Sequence, residues 1–128
     1  MISTLKKKIL VIDDEPDIAL MVKSRLESNG YDVDIAYSGE EALKRAEHEN
    51  FDLYVLDVIL PGISGYEVCV KLKTDRAVAA PVVMLTSRSK VVDEHLGFAC
   101  KADAYVRKPL SGELLLPEIK KLLHQTEG

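Results

Sequence analysis

The sequence predicts an α/β protein built on a parallel, doubly wound sheet with helices on both faces, a three-layer (βα)5 plan. Three observations predict it. Five short apolar runs alternate with segments that carry apolar residues at helical spacing, and such alternation implies right-handed crossovers between parallel strands. The runs are continuously apolar, as strands buried on both faces are, instead of alternating apolar with polar. The chain has 128 residues, 47% of them hydrophobic and 30% charged, which suits one globular domain able to bury a core without disulfide or metal staples.

Ile9-Leu10-Val11-Ile12 is the first strand and ends in Asp13-Asp14. Pro16 suits the first turn of the next helix, where its missing N–H costs nothing. Ile18, Val22 and Leu26 recur at four-residue spacing, and Gly30 stops that helix. Val33-Asp34-Ile35-Ala36 is a second strand, and Ser38-Gly39-Glu40-Glu41 has the Ser-x-x-Glu form of a capping box ahead of Leu43 and Ala46. Leu53-Tyr54-Val55-Leu56 is a third strand ending in Asp57. Pro61-Gly62 marks a loop, and Ser64-Gly65-Tyr66-Glu67 is a second capping box ahead of Val68 and Leu72. Val82-Val83-Met84-Leu85 is a fourth strand ending in Thr86 and Ser87, followed by a weaker helical pattern over Val91, Val92, Leu96 and Ala99. Ala104-Tyr105-Val106 is a fifth strand before Lys108-Pro109, and Ser111 can cap a last helix carrying Leu115, Ile119, Leu122 and Leu123. These elements leave no room for a linker, so residues 1–128 read as one domain with a core from about 8 to about 123.

Composition excludes several functions. Lys+Arg 17 against Asp+Glu 21 gives a formal charge of -4, which argues against direct binding of nucleic acid by this domain. No apolar run approaches the roughly 18 residues of a membrane helix. Lys6, Lys7 and Lys8 precede only a short strand-like run, so no secretory signal is read. The 2 cysteines, Cys69 and Cys100, lack metal or redox spacing and suit reduced thiols in a cytoplasmic protein.

Ligands of open parallel sheets bind beyond the carboxyl ends of the strands. Asp13, Asp14, Asp57, Thr86 and Lys108 stand at or just past the ends of the first, third, fourth and fifth strands. Gathered carboxylates repel one another unless a cation intervenes, and hard oxygen ligands of this kind suit Mg²⁺. Asp57 could attack a phosphorus, Thr86 could donate a hydroxyl hydrogen bond to the phosphoryl group, and Lys108 could offset charge. Singly, each has an ordinary reading: Asp14 or Asp57 as a helix N-cap, Thr86 as a turn residue, Lys108 as a solvated lysine. Independent caps would not require this order of residues on successive strand ends.

At these residues the sequence resembles the receiver domain of bacterial two-component response regulators. Carrying the resemblance are Val11-Ile12-Asp13-Asp14-Glu15-Pro16, Leu56-Asp57-Val58-Ile59-Leu60-Pro61-Gly62, Met84-Leu85-Thr86-Ser87 and Tyr105-Val106-Arg107-Lys108-Pro109. It implies a flavodoxin-like sheet in the order 2-1-3-4-5. It also implies Asp57 as phosphoacceptor, taking the group from a histidine kinase or histidine phosphotransfer protein. Mg²⁺ would be held by Asp14, Asp57 and the Ile59 backbone carbonyl, with Asp13 acting directly or through water. Thr86 and Tyr105 would be the switch pair: Thr86 moves to the phosphoryl group and Tyr105 turns inward. Lys108 would bridge to a phosphoryl oxygen, aimed by a cis Lys108–Pro109 bond. Phosphorylation would shift a two-state population, read by an effector or partner at the face of the fourth helix, fifth strand and fifth helix, in a monomer or a phosphorylation-dependent dimer. Such a domain catalyses only its own phosphorylation and dephosphorylation.

Four departures from the family pattern stand out. Lys101 replaces a helix-ending glycine, which should cost about 1 kcal/mol or force another loop shape, and Ala104 replaces an acidic residue of the charge-paired dimer. Ser87 replaces alanine, and Pro117 falls about one turn into the last helix, where it would remove a hydrogen bond. Cys69 reads as core and Cys100 as a loop or helix-end thiol. His48, His95 and His124 read as surface residues. Arg88 is placed to tune the phosphorylated lifetime, and Ile59 to shield the site from water. Three rival functions are weaker, among them a purely structural interaction module, which Asp57, Thr86 and Lys108 together disfavour. A flavodoxin-like cofactor protein needs a phosphate-cradling loop where Asp13-Asp14-Glu15 would repel one, and aspartate phosphatases place an Asp-x-Asp pair after the first strand.

Overall fold

The computed structural model describes residues 6–75, 79–86, 102–107 and 115–124. Strands β1 (Lys8–Ile12), β2 (Asp32–Ala36), β3 (Leu53–Asp57), β4 (Val82–Thr86) and β5 (Ala104–Arg107) form one sheet in the order β2-β1-β3-β4-β5. Every pairing is parallel. The doubly wound class and the strand order are therefore those expected from the sequence. Helices α1 (Pro16–Glu27), α2 (Gly39–His48) and α3 (Gly65–Val70) follow the first three strands, and a C-terminal helix covers Leu115–His124. The helix expected over Val91, Val92, Leu96 and Ala99 lies outside the described residues, as do Ser87, Arg88, His95, Cys100, Lys101, Lys108, Pro109 and Ser111.

Burial on both faces explains why the strands read as unbroken apolar runs. Leu10, Ile12, Tyr54, Leu56, Val82 and Met84 pack on one side with Ala42, Val68, Cys69 and Leu72 of the α2–α3 layer. Ile9, Val11, Leu53, Val55, Val83 and Leu85 pack on the other with Val22 and Leu26 of α1 and with Leu115 and Ile119. Successive strand residues thus feed opposite layers, and each fully buried Leu or Ile contributes roughly 1.5–3 kcal/mol. Cys69 is a fully buried core residue, as expected.

Local chemistry sets the helix ends. Pro16 is the first residue of α1, and past its end Gly30 takes φ +94° while Tyr31 N–H donates to Leu26 O at 3.2 Å. Such a left-handed turn suits glycine. Ser38 Oγ accepts Glu41 N–H at 3.1 Å, and Glu41 Oε1 accepts from Tyr37 N–H at 2.8 Å, one residue earlier than a standard capping box. After Val70 the chain continues as a π-helical turn, Lys71–Asp75, that periodicity did not foretell. Lys73 Nζ leaves that turn to donate to Asp103 Oδ2 at 2.8 Å and Ala80 O at 3.1 Å, and Val82 N–H also donates to Asp103 Oδ2 at 2.7 Å. Asp103 thereby ties the entrances of β4 and β5 together. Pro117 is the third residue of the C-terminal helix, so the bond its ring displaces would run to residue 113, outside the described residues.

The amino end of the sheet is dense with paired charge. Lys8 Nζ lies 3.0 Å from Glu49 Oε1, and Arg45 reaches both Glu49 Oε2 and Asp34 Oδ2 at 2.8 Å. Both cations flank the Phe51 ring, Lys8 Nζ 5.1 Å and Arg45 Cζ 5.9 Å from its centroid. Hydrogen bonds from Arg45 and then Lys8 hold the Glu49 carboxyl down at about 2, while the Arg45 guanidinium is raised chiefly by the same Glu49 bond. Nearby, Tyr31 OH and His124 Nε2 hydrogen-bond at 3.1 Å, with the rings stacked at 6.2 Å. Burial raises the Tyr31 phenol, so it stays neutral and able to donate. His124 was expected as a surface residue. It is half-buried, stacked on Tyr31, a partner 93 positions away that local sequence pattern does not reveal.

Candidate functional site

At the carboxyl end of the sheet β1 and β3 are neighbours, with Ile12 paired to Leu56. Their C-terminal extensions bring Asp13, Asp14 and Asp57 together, and one carboxylate oxygen from each lies within 4.8 Å of the other two. Asp13 and Asp57 are buried, at 1% and 5% exposure, whereas Asp14 is exposed. Asp13 Oδ1 accepts Glu15 N–H at 2.9 Å, and Asp57 Oδ1 accepts Ile59 N–H at 3.1 Å. Each buried aspartate thus folds its own following loop in an Asx turn.

Neither Asp14 nor Asp57 serves as a helix cap. The N-cap of α1 is Glu15, without a side-chain hydrogen bond, and that of α3 is Ser64, whose Oγ accepts Glu67 N–H at 3.2 Å. The ordinary reading of these aspartates is thereby removed. Three carboxylates gathered where two are buried repel one another at neutral pH, and a hard divalent cation is the counter-charge that suits an all-oxygen donor set. The residues present fit Mg²⁺.

Thr86 ends β4, 9% exposed, one residue beyond the Asp57–Leu85 pair and opposite Arg107 of β5. Tyr105 pairs with Met84 and is half-buried against the α2–α3 face of the core. Ile59 sits in the loop after β3 with 51% of its surface exposed, at the mouth of the cluster. Of the residues chosen from sequence, Asp13, Asp14, Asp57, Ile59 and Thr86 fall at this end of the sheet, with Tyr105 two residues before its edge. Lys108 lies outside the described residues.

One residue important to the site's shape was read from sequence only as part of a helix start. Gly65, the first residue of α3, donates its N–H to Val58 O at 2.9 Å. A Cβ there would overlap the Asp57 carbonyl oxygen and stand 2.8 Å from Val58 Cα. Only glycine lets α3 begin directly against the strand end that carries Asp57. The signal available in sequence was a glycine just inside a capping motif eight residues after an aspartate-ended strand, and spacing alone does not reveal that contact.

With the fold and the cluster established, similarity places the chain. A family model described as the response regulator receiver domain matches residues 9–120. The chain belongs to that family and is a receiver domain of two-component response regulators. It is 44% identical over 123 residues to the alkaline phosphatase synthesis transcriptional regulatory protein PhoP of Bacillus subtilis, covering 96% of this chain and 51% of that protein. It is 37% identical over 124 residues to the DNA-binding response regulator MtrA of Mycolicibacterium smegmatis, covering 97% and 54%. The chain spans about half the length of the curated relatives it matches. Among solved structures, the response regulator TrrA of Thermotoga maritima in complex with Mg²⁺-BeF superposes with a TM-score of 0.84 at 41% identity, covering 91% of this chain and 99% of that one. Among the described residues, no helix is long and apolar enough to cross a membrane.

Proposed function

We propose that the acidic cluster is the phosphoryl-accepting site and that Asp57 is the acceptor. The observation that carries this reading is the convergence of Asp13, Asp14 and Asp57 within 4.8 Å, with both adjoining helices capped by other residues. The TrrA structure with Mg²⁺-BeF supports the choice of ion. Asp14, Asp57 and the Ile59 carbonyl would hold Mg²⁺, with Asp13 contributing directly or through a water. The ion supplies positive charge that offsets the carboxylates and the phosphoryl oxygens.

A carboxylate oxygen of Asp57 forms the new O–P bond as the P–N bond to a donor histidine breaks, and the imidazole keeps the electron pair and takes up a proton. Hydrolysis by water reverses the modification, so the chemistry is confined to the chain's own aspartate. Thr86 donates its hydroxyl to the phosphoryl group, Lys108 pairs with a phosphoryl oxygen, and Tyr105 follows Thr86 inward as the switch.

Residues 8–123 form the working domain. Its upstream partner is a histidine kinase or phosphotransfer protein in the cytoplasm. Its output runs through the region of the fourth predicted helix, β5 and the C-terminal helix to an effector or a second phosphorylated copy. Titration with beryllofluoride or acetyl phosphate in Mg²⁺, with the wild type beside Asp57→Asn, tests the assignment. A saturable spectroscopic change and a stoichiometric mass increase are expected for wild type alone. The same response in Asp57→Asn, or none in wild type, would overturn it.

A further inference from the structure

The loop between β3 and α3, residues 58–64, carries Ile59, and its path is fixed from outside the site. Its side chains Leu60 and Ile63 pack into the α2–α3 face of the core. Ile63 reaches the first turn of α2 where Gly39 leaves no side chain. A Cβ at Gly39 would lie 2.8 Å from Ile63 Cγ1 and 3.0 Å from Ile63 Cδ1, and would overlap Val68 Cγ2. The next residue of α2 meets the same loop: Gly62, at φ +75°, lies so close to Glu40 that a Cβ there would stand 2.9 Å from its Oε2. Two successive α2 residues thus back two successive loop residues, and the inner side of the loop is held by Ile59 N–H on Asp57 Oδ1.

We infer that Gly39 and Ile63 are positioning residues of the metal site: the notch at Gly39 seats Ile63 and so sets where the loop presents the Ile59 carbonyl. This rests on the reading of Asp13, Asp14, Asp57 and Ile59 as metal-holding groups. The notch touches none of those oxygens. It acts through the loop, as outer residues orient metal ligands elsewhere, and loss of such support typically weakens metal affinity about tenfold or more. A methyl group at position 39 pushes Ile63 outward, and truncation of Ile63 to alanine leaves the loop without its seat. Both errors displace the same carbonyl.

Isothermal titration of the full chain with MgCl2 at fixed ionic strength tests this as a double-mutant cycle, with urea unfolding of each variant as the stability control. Gly39→Ala and Ile63→Ala are each expected to raise the Mg²⁺ Kd about tenfold. In the double variant both changes act through the same loop, and the losses are expected to be less than additive. Wild-type Mg²⁺ affinity in folded Ile63→Ala or Gly39→Ala would overturn the inference, as would additive losses in the double variant. Should Gly39→Ala fail to fold, Ile63→Ala alone decides. Absence of Mg²⁺ binding by the wild type would instead overturn the reading of the site itself, and this inference with it.

Discussion

The two ends of the sheet handle charge in opposite ways. At the amino end, opposite charges interleave: Lys8 with Glu49, and Arg45 with both Glu49 and Asp34, the two cations flanking the Phe51 ring. At the carboxyl end, like charges are brought together, and the two buried aspartates accept hydrogen bonds from backbone N–H groups. Paired charges at a sheet entrance staple elements without requiring any further component. Like charges collected at a sheet exit require one. The contrast separates structure from function on one set of strands, and it follows the rule that open parallel sheets bind ligands beyond their carboxyl ends.

Four experiments break or sharpen that contrast, from the largest effect to the smallest. Gly65→Ala places a methyl against the Asp57 carbonyl and is expected to cost about 3 kcal/mol, read as a fall in the urea midpoint, and to remove beryllofluoride binding with it. Retained stability would show that α3 can retreat from β3. Next, Mg²⁺ at 100 times its Kd is expected to stabilise the wild type by about 2.7 kcal/mol and to leave Asp14→Asn nearly unchanged. Equal stabilisation of both proteins would place the ion elsewhere.

At the amino end, Tyr31→Phe keeps the ring but loses the bond to His124, and about 1 kcal/mol of stability is expected to go without any change in Mg²⁺ affinity. Smallest is Glu49→Gln. The folded-state carboxyl lies at about 2, below its ordinary value of 4.5. The stabilisation it contributes is therefore complete above about 4.5 and lost as pH falls toward 2. Chemical unfolding across that range should show the wild type and Glu49→Gln converging in acid. A difference that persists unchanged at the acid limit would assign the effect to packing on Phe51.

Much of this architecture was legible in the sequence because it depends on short-range pattern. Continuous apolar runs such as Leu53–Leu56 encode two-sided burial, and the turn residues Pro16, Gly30 and Ser38 mark element ends. Asp13, Asp14 and Asp57 could be placed together because a strand-end rule converts sequence position into spatial position. What escaped depends on contacts between distant residues or on exact backbone approach. Tyr31 and His124 meet across 93 positions, and Lys8 and Glu49 across 41. Gly65 and Gly39 look like routine helix-start glycines until the atoms opposite them are known. The π-helical turn at Lys71–Asp75 likewise breaks the regular period from which helices are read, and Lys73 reaches Asp103 from within it.

β3 is buried at all five positions and is paired on both sides, to β1 and β4. Amides of such a strand exchange with solvent only when the whole domain opens. The proposed acceptor carboxylate is therefore mounted on a fully buried, doubly paired strand, while the C-terminal helix is held at its far end by the Tyr31–His124 pair. Fraying confined to that helix end breaks none of the β1–β3 pairing. A population of chains with the helix end detached would still carry the three carboxylates on paired β1 and β3, so the proposed acceptor site should outlast an opening confined to the helix end.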